Sequence, residues 1–333
     1  MNARPVLSKI TKLPKIELHA HLTASVTRQS FQKLLRMKGL DDDVSFFDCK
    51  DYEDTFRRVF RLLWKIVDCK RDLEYLTTEV FEGFKEDNIK YLEIRTTPKP
   101  LSDITILEYT DAVISSMKAY EKSMPIRLVL SVNRNYPPEH YQEIFDELKT
   151  NQEWQKWIVG ICYCGDPWER DVLDYKHHFD VARDLGLKLT IHTAEVPTQM
   201  AETGRILSLR PERIGHFVNV HDEELEQVRE MGSLIEVCPS SNIVTNHFED
   251  FSEHNMMRML DSGFKVGICT DDILLFENNL SEEIQLVCDT FGLDYEFCQQ
   301  MTLDSLEHAF CEEEVKTRVR PQILEGYEST LEL

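Results

Sequence analysis

Short β-rich apolar runs recur along the chain, separated by stretches whose apolar residues return at helical spacing. The runs lie at 15–22 (KIELHAHL), 89–97 (IKYLEIRTT), 126–133 (IRLVLSVN), 157–165 (WIVGICYCG), 188–195 (KLTIHTAE), 213–217 (RIGHF), 234–241 (LIEVCPSS) and 266–272 (VGICTDD). Between them, segments such as YLTTEVFEGFKEDN and DEELEQVREMG put apolar residues on one face and charge on the other, the pattern of amphipathic helices. Eight alternating strand–helix units without an antiparallel hairpin signal predict an α/β fold, a (β/α)8 TIM barrel, over a doubly wound sheet. The first crossover, roughly 28–88, is too long for one helix and predicts extra helices after strand one. Its aromatic stretch, 46–68, is a candidate cover for the barrel mouth, with one more packed helix as the equal alternative. No repeat beyond the unit, low-complexity tract or linker is visible, so a single domain over 1–333 is expected, with its core at about 13–319.

Composition narrows the class. At 42% hydrophobic and 29% charged residues, the 333-residue chain is ordinary for a globular protein. Lys and Arg number 38 against 60 Asp and Glu, a net charge of −22. That balance argues against nucleic-acid binding through a basic surface, while a small anion held by a few local groups stays open. No run of eighteen apolar residues occurs, so neither a spanning helix nor a membrane partner is expected. The opening MNARPVLSKITKLPK lacks an apolar signal core and reads as a short lead-in. Nine cysteines without C-x2-C spacing suggest reduced thiols and a cytoplasmic location. Cys162 and Cys164 read as small buried hydrophobes.

Polar residues gather where the predicted strands end, which in such a barrel is the reactive rim. His19 and His21 share one face of strand one by the two-residue period. Alone, H-x-H is weak, and one packed with one exposed histidine is the plain alternative. His192 from strand five and Asp271 from strand eight make four candidate ligands, suited to one catalytic Zn2+ per chain with room for water. Glu195, three residues beyond His192, is a candidate proton handler, although by itself it would read as a carboxylate opening a helix. His216 ends strand six and could hold or deprotonate the attacking water. Asp272 follows Asp271 and by strand alternation faces away from it, where it could orient hydroxide or substrate. His140, His177, His178, His221, His247, His254 and His308 lie in polar segments and read as solvated. The HFE at 247–249 lacks the later P-C-x-x-C that the cytidine-type zinc deaminases require.

In this order and spacing, ELHAHL, HTAEVP, RIGH, CPSSN and CTDD resemble the adenosine/AMP deaminase family of zinc-dependent purine aminohydrolases, over nearly the whole chain. LPKIELHAHL, YLEIRTTPK and EVCPSSNIVT are most similar to its N6-methyl-AMP deaminase branch. The resemblance implies zinc on His19, His21, His192 and Asp271, with Glu195 protonating purine N1 and His216 assisting the hydroxide that attacks C6. It further implies that Asp272 binds the purine or orients the hydroxide, and that the Gly165 amide meets purine N3. Arg95, Thr96, Thr97 and Pro98 match the stretch that receives a 5′-phosphate, with ordinary strand residues a near-equal reading of the threonines. The implied reaction converts N6-methyl-AMP, or another N6-substituted AMP, to IMP and an amine; a monomer is expected. Some positions depart from the branch. Thr23 replaces an asparagine, Trp64 a histidine, Cys162 an aspartate and Ala194 a glycine; Asn133 stands where S-I-D is usual, and Ala24 also differs. Adenosine as substrate is therefore the alternative. A silent binding barrel is disfavoured because neither a ligand nor Glu195 is lost.

Overall fold

The computed structural model describes residues 4–48, 51 and 58–331. Eight strands follow one another around a single parallel sheet in chain order. They are β1 (Lys15–His21), β2 (Ile89–Thr96), β3 (Ile126–Asn133), β4 (Ile158–Cys164), β5 (Lys188–Thr193), β6 (Arg213–His216), β7 (Leu234–Val237) and β8 (Val266–Ile268). The sheet closes just past β8, where Ala20 bridges to Asp271: the Asp271 amide donates to the His19 carbonyl at 2.9 Å, and the His21 amide to the Asp271 carbonyl at 3.2 Å. The fold is the expected (β/α)8 barrel. Its closure stitches the β1 histidines directly to an aspartate some 250 residues later in the sequence.

Helices fill the crossovers where the apolar period predicts them. Lys70–Glu86 buries Leu73, Leu76, Val80, Phe81 and Phe84, spaced three and four apart on one face. Asp222–Met231 stops at Gly232, whose φ of 69° is the left-handed turn that ends a helix without a Cβ penalty. The first crossover carries three helices among its described residues, Arg28–Met37, Phe60–Ile66 and Lys70–Glu86. Phe60, Arg61 and Trp64 line the cavity at the barrel mouth, which supports the covering reading for that turn. The rest of the aromatic stretch, residues 49, 50 and 52–57, lies outside the described residues. Among those described, no helix is long and apolar enough to cross a membrane, and the eight cysteines are free thiols.

Below the rim, the barrel interior is charged. Glu17, Glu93, Arg95, Arg213 and Glu236 are all fully buried. Glu236 accepts from Arg213 Nε at 2.7 Å, Arg95 Nη2 at 2.5 Å and Thr190 Oγ1 at 3.0 Å, and Arg213 also pairs with Glu93. Buried charge is tolerable only when it is paired and hydrogen-bonded in this way. Glu17 works on β1 itself: its carboxylate accepts from the His19 amide at 2.7 Å and from the amide and hydroxyl of Thr270 at 3.0 Å. That clamp coincides with a register shift of β1 between Glu17 and Ala20, so the strand bulges at His19.

Candidate active site

At the C-terminal rim, His19, His21, His192 and Asp271 bring one donor atom each within 4.8 Å of one another. His19 Nε2 lies 2.9 Å and His21 Nε2 3.1 Å from His192 Nε2, and Asp271 Oδ1 is 3.5 Å from each of the β1 nitrogens. The remaining nitrogens of two rings are committed. His19 Nδ1 meets Glu236 Oε2 at 2.9 Å, and His192 Nδ1 meets the Tyr163 carbonyl at 3.0 Å. Each of those bonds uses an Nδ1–H, so a ring that yields its second proton to a cation presents an Nε2 lone pair to the cluster, the outer support a metal-binding imidazole requires.

The electrostatics also favour a cation. Burial and Arg95 pull His19 down, but Asp271 and Glu236 outweigh them and lift it to about 9. Burial and the neighbouring positive groups push His21 down to about 3 despite Asp271, and His192 well below its ordinary range. Asp271 stays an anion: the His19 hydrogen bond and the imidazole charges overcome its burial. Three nitrogens and one hard oxygen, held by strands far apart in sequence, therefore fit a single divalent transition metal with an open position.

Gly215 on β6 makes room for this. A Cβ there would stand 2.8 Å from His19 Cε1, so only glycine lets the ring lie against β6. Backbone strain collects at the same rim: φ is 50° at Ala194, 66° at His216, 59° at Phe217 and 59° at Asp271. Non-glycine residues in this region cluster at functional sites. The Asp271 kink corrects one expectation. Strand alternation predicts that Asp272 faces away, yet β8 ends at Ile268, and the left-handed turn brings both aspartates onto the cavity wall.

Counted out to its solvent mouth, the cavity spans about 1020 Å³. Glu195 lines it, 4% exposed, with Oε1 3.9 Å from His216 Nε2. Burial, reinforced by the Asp271 charge and only partly offset by His19, raises the Glu195 carboxyl to about 8. That shift favours the neutral acid near pH 7. Asp272 is pushed well above the carboxylate range by burial, Asp271 and Glu195. Thr23, Trp64, Thr96, Thr97, Asn133 and Gly165 all line the same cavity. Gly165 has φ of 106°, and a Cβ there would fall 2.3 Å from Asn133 Oδ1. Trp64 stacks on Tyr136 at 5.2 Å, and Tyr136 on His140 at 4.2 Å.

Two members of the RTTP stretch are placed otherwise than expected. Arg95 reaches the cavity floor, but its guanidinium is turned into the barrel, bound to Glu236, Thr190 and the Leu18 carbonyl. With that charge spent on a buried carboxylate, it is not a phosphate clamp. Pro98 does not line the cavity; its carbonyl meets His140 Nε2 at 3.1 Å. The cations on the wall are instead Lys99 and Arg61. Two histidines read as solvated are buried, both 4% exposed. His178 packs on Phe145 at 4.7 Å, and His254 on Phe251 at 4.8 Å. Polar sequence around each hid a ring facing inward. Glu236 was also missed, although a charge inside the apolar run LIEV is a readable signal of a buried partner.

The sequence profile of the adenosine deaminase family matches residues 14–326. An adenosine deaminase from Clostridium perfringens is 31% identical, covering 95% of this chain and 99% of its own length. The N6-methyl-AMP deaminase of Danio rerio is 28% identical over 92% of this chain and 93% of its own. The structure of Arabidopsis ADAL complexed with IMP is similar with a TM-score of 0.87 at 27% identity, covering 96% of this chain and 99% of that one. With a barrel, a rim cluster and a profile that all coincide, the chain belongs to the adenosine deaminase family.

Proposed function

We propose that this protein hydrolyses the exocyclic amine from C6 of a purine nucleotide, N6-methyl-AMP above others, giving IMP and methylamine. The observation that carries the reading is the three-histidine, one-aspartate cluster beside a buried carboxyl whose burial raises its pKa. In the reaction, Glu195 protonates N1 as water adds to C6, the C6–N6 bond breaks, one proton of the water leaves with the amine, and the other restores the acid. The relatives that act on or bind such nucleotides support the substrate class.

His19, His21, His192 and Asp271 would hold one zinc ion. Zinc bound there supplies Lewis acidity and a water that ionises near neutral pH. Glu195 gives its proton to purine N1, which makes C6 electrophilic; a donor matched to the working pH is the efficient kind. His216 and Asp272 face the attacking oxygen from the cavity wall. The Gly165 amide is offered to purine N3, and its missing side chain lets the base approach. Thr23, Trp64 and Asn133 surround the nucleoside. Thr96, Thr97, Lys99 and Arg61 receive the 5′-phosphate, hydroxyls and cations being its natural partners.

A second reading keeps the chemistry and moves the substrate to adenosine. What favours it is that Arg95, the arginine of the phosphate stretch, is committed to Glu236. Purified protein assayed in parallel with N6-methyl-AMP, AMP and adenosine, followed by ultraviolet absorbance, separates the two. N6-methyl-AMP is expected to turn over fastest; turnover of adenosine alone would transfer the assignment to the nucleoside.

A further inference from the structure

The most informative group outside the reacting set is His254, buried behind the site and reaching it through one residue. Its Nδ1 accepts the Met256 amide at 3.0 Å, so the ring proton sits on Nε2. That Nε2–H points at Asn242 Oδ1, 3.2 Å away. The Cys238 amide donates to the same oxygen at 3.3 Å. Two donors on one side fix which end of the Asn242 amide is oxygen. Asn242 Nδ2 therefore faces forward, 3.1 Å from His216 Nδ1, and can only donate to it. His216 Nδ1 must present a lone pair, which puts the His216 proton on Nε2. That nitrogen is buried, without a hydrogen-bond partner among the described residues, and aimed at the cavity.

We infer that His254 is a positioning residue that, through the fully buried Asn242, sets the tautomer of His216, so that His216 offers the cavity an N–H and not a lone pair. In the proposed reaction His216 then steadies the developing negative oxygen as a donor, and does not remove a proton from it. The chain of bonds has a single polarity from the Met256 amide to the rim, and every link uses one donor and one acceptor. Desolvation reinforces it: burial holds His254 down at about 3, so it stays the neutral, one-proton ring the chain requires. A purely structural His254 would need only to fill space against Phe251.

The turnover part of the test rests on the deaminase reading; the spectroscopic part does not. Histidine-labelled holoenzyme is examined by two-dimensional ¹⁵N NMR of the imidazoles, His216 being assigned by the signal lost in His216→Gln. The expected spectrum has His216 protonated on Nε2 and bare on Nδ1, and a His216 protonated on Nδ1 overturns the inference without any variant of the relay. Asn242→Asp replaces the forward donor with an acceptor and is expected to move the His216 proton to Nδ1. His254→Phe keeps the volume and removes the donor. It is expected to lower kcat by about 10- to 100-fold, the range for outer-shell partners, with KM and zinc content near wild type. His254→Gln restores a donor and most of the rate. If His254→Phe alters neither kcat nor the His216 spectrum, or Asn242→Asp leaves the proton on Nε2, His254 does not set the tautomer.

Discussion

At the residue scale, the proposed reaction places most of its chemistry on Glu195. A carboxyl raised to about 8 by burial and Asp271 keeps its proton across neutral pH and surrenders it only above that value. The raised value works in the acid's favour: the donor is present below about 8 and absent as pH rises through it. Turnover is accordingly expected to fall on the alkaline side with a midpoint near 8, and a rate that stays level to pH 10 would remove Glu195 as the donor. Glu195→Gln keeps the shape and deletes the proton, so zinc content is expected to stay normal while kcat drops about 10²- to 10⁴-fold. Gly165 offers a steric counterpart. At φ of 106°, with Asn133 Oδ1 2.3 Å from any added Cβ, Gly165→Ala must shift the Asn133 and Asn135 side chains or the backbone itself. A shift of that kind near the reacting base is expected to cost on the order of 10²-fold in kcat/KM. Unchanged kinetics would mean the base does not approach this backbone.

At the scale of elements, the barrel mouth is tied together by Lys99. Its Nζ bonds the Trp64 carbonyl at 2.5 Å and the Val67 carbonyl at 3.2 Å, capping the C-terminal end of the Phe60–Ile66 helix while facing the cavity. Cations stabilise that end of a helix, so one side chain holds the cover and, in the proposed reading, offers charge to a phosphate. Burial lowers Lys99 to about 8, with Asp68 partly opposing it, so its charge is lost as pH rises through that value. Lys99→Ala is expected to raise KM for a nucleotide about 10-fold or more, the worth of a charge-assisted hydrogen bond, and to change KM for adenosine much less. Equal effects on both substrates would reduce Lys99 to a helix cap. The strands themselves were largely legible in sequence, since every apolar run but one began where a strand begins, the exception being 157–165, one residue ahead of Ile158. The ends of β7 and β8 were not: CPSS and CTDD continue the apolar run, but a helix starts at Pro239, and left-handed backbone at Asp271 breaks the alternation. Periodicity carries no information about such turns, which is why Asp272 was expected on the wrong side.

On the scale of the whole molecule, closure of the barrel is what makes a site of scattered residues. The Ala20–Asp271 bridge sets candidate ligands from both ends of the chain side by side, and the buried Glu236, itself held by Arg95 and Arg213, supports His19 from beneath. The four clustered residues and Glu195 were readable as polar groups at strand ends, because the fold class dictates which end is reactive. The supporting layer was not readable. Glu236, Asn242 and His254 act through partners tens to hundreds of residues away, and no local pattern records that pairing. Since a cation binds the folded cluster and not the unfolded chain, its removal is expected to lower the melting temperature. A ligand at about 1,000 times its Kd contributes about 4 kcal/mol. An unshifted transition after chelation would place the cation elsewhere or nowhere.

The most direct test of the whole account is a zinc titration. Protein stripped by chelation is titrated with zinc while N6-methyl-AMP turnover is followed. Activity is expected to be negligible at the start, to rise in proportion to added metal, and to break sharply at one equivalent per chain. Full turnover in the stripped protein, or no recovery at any zinc concentration, would contradict a single catalytic cation on His19, His21, His192 and Asp271.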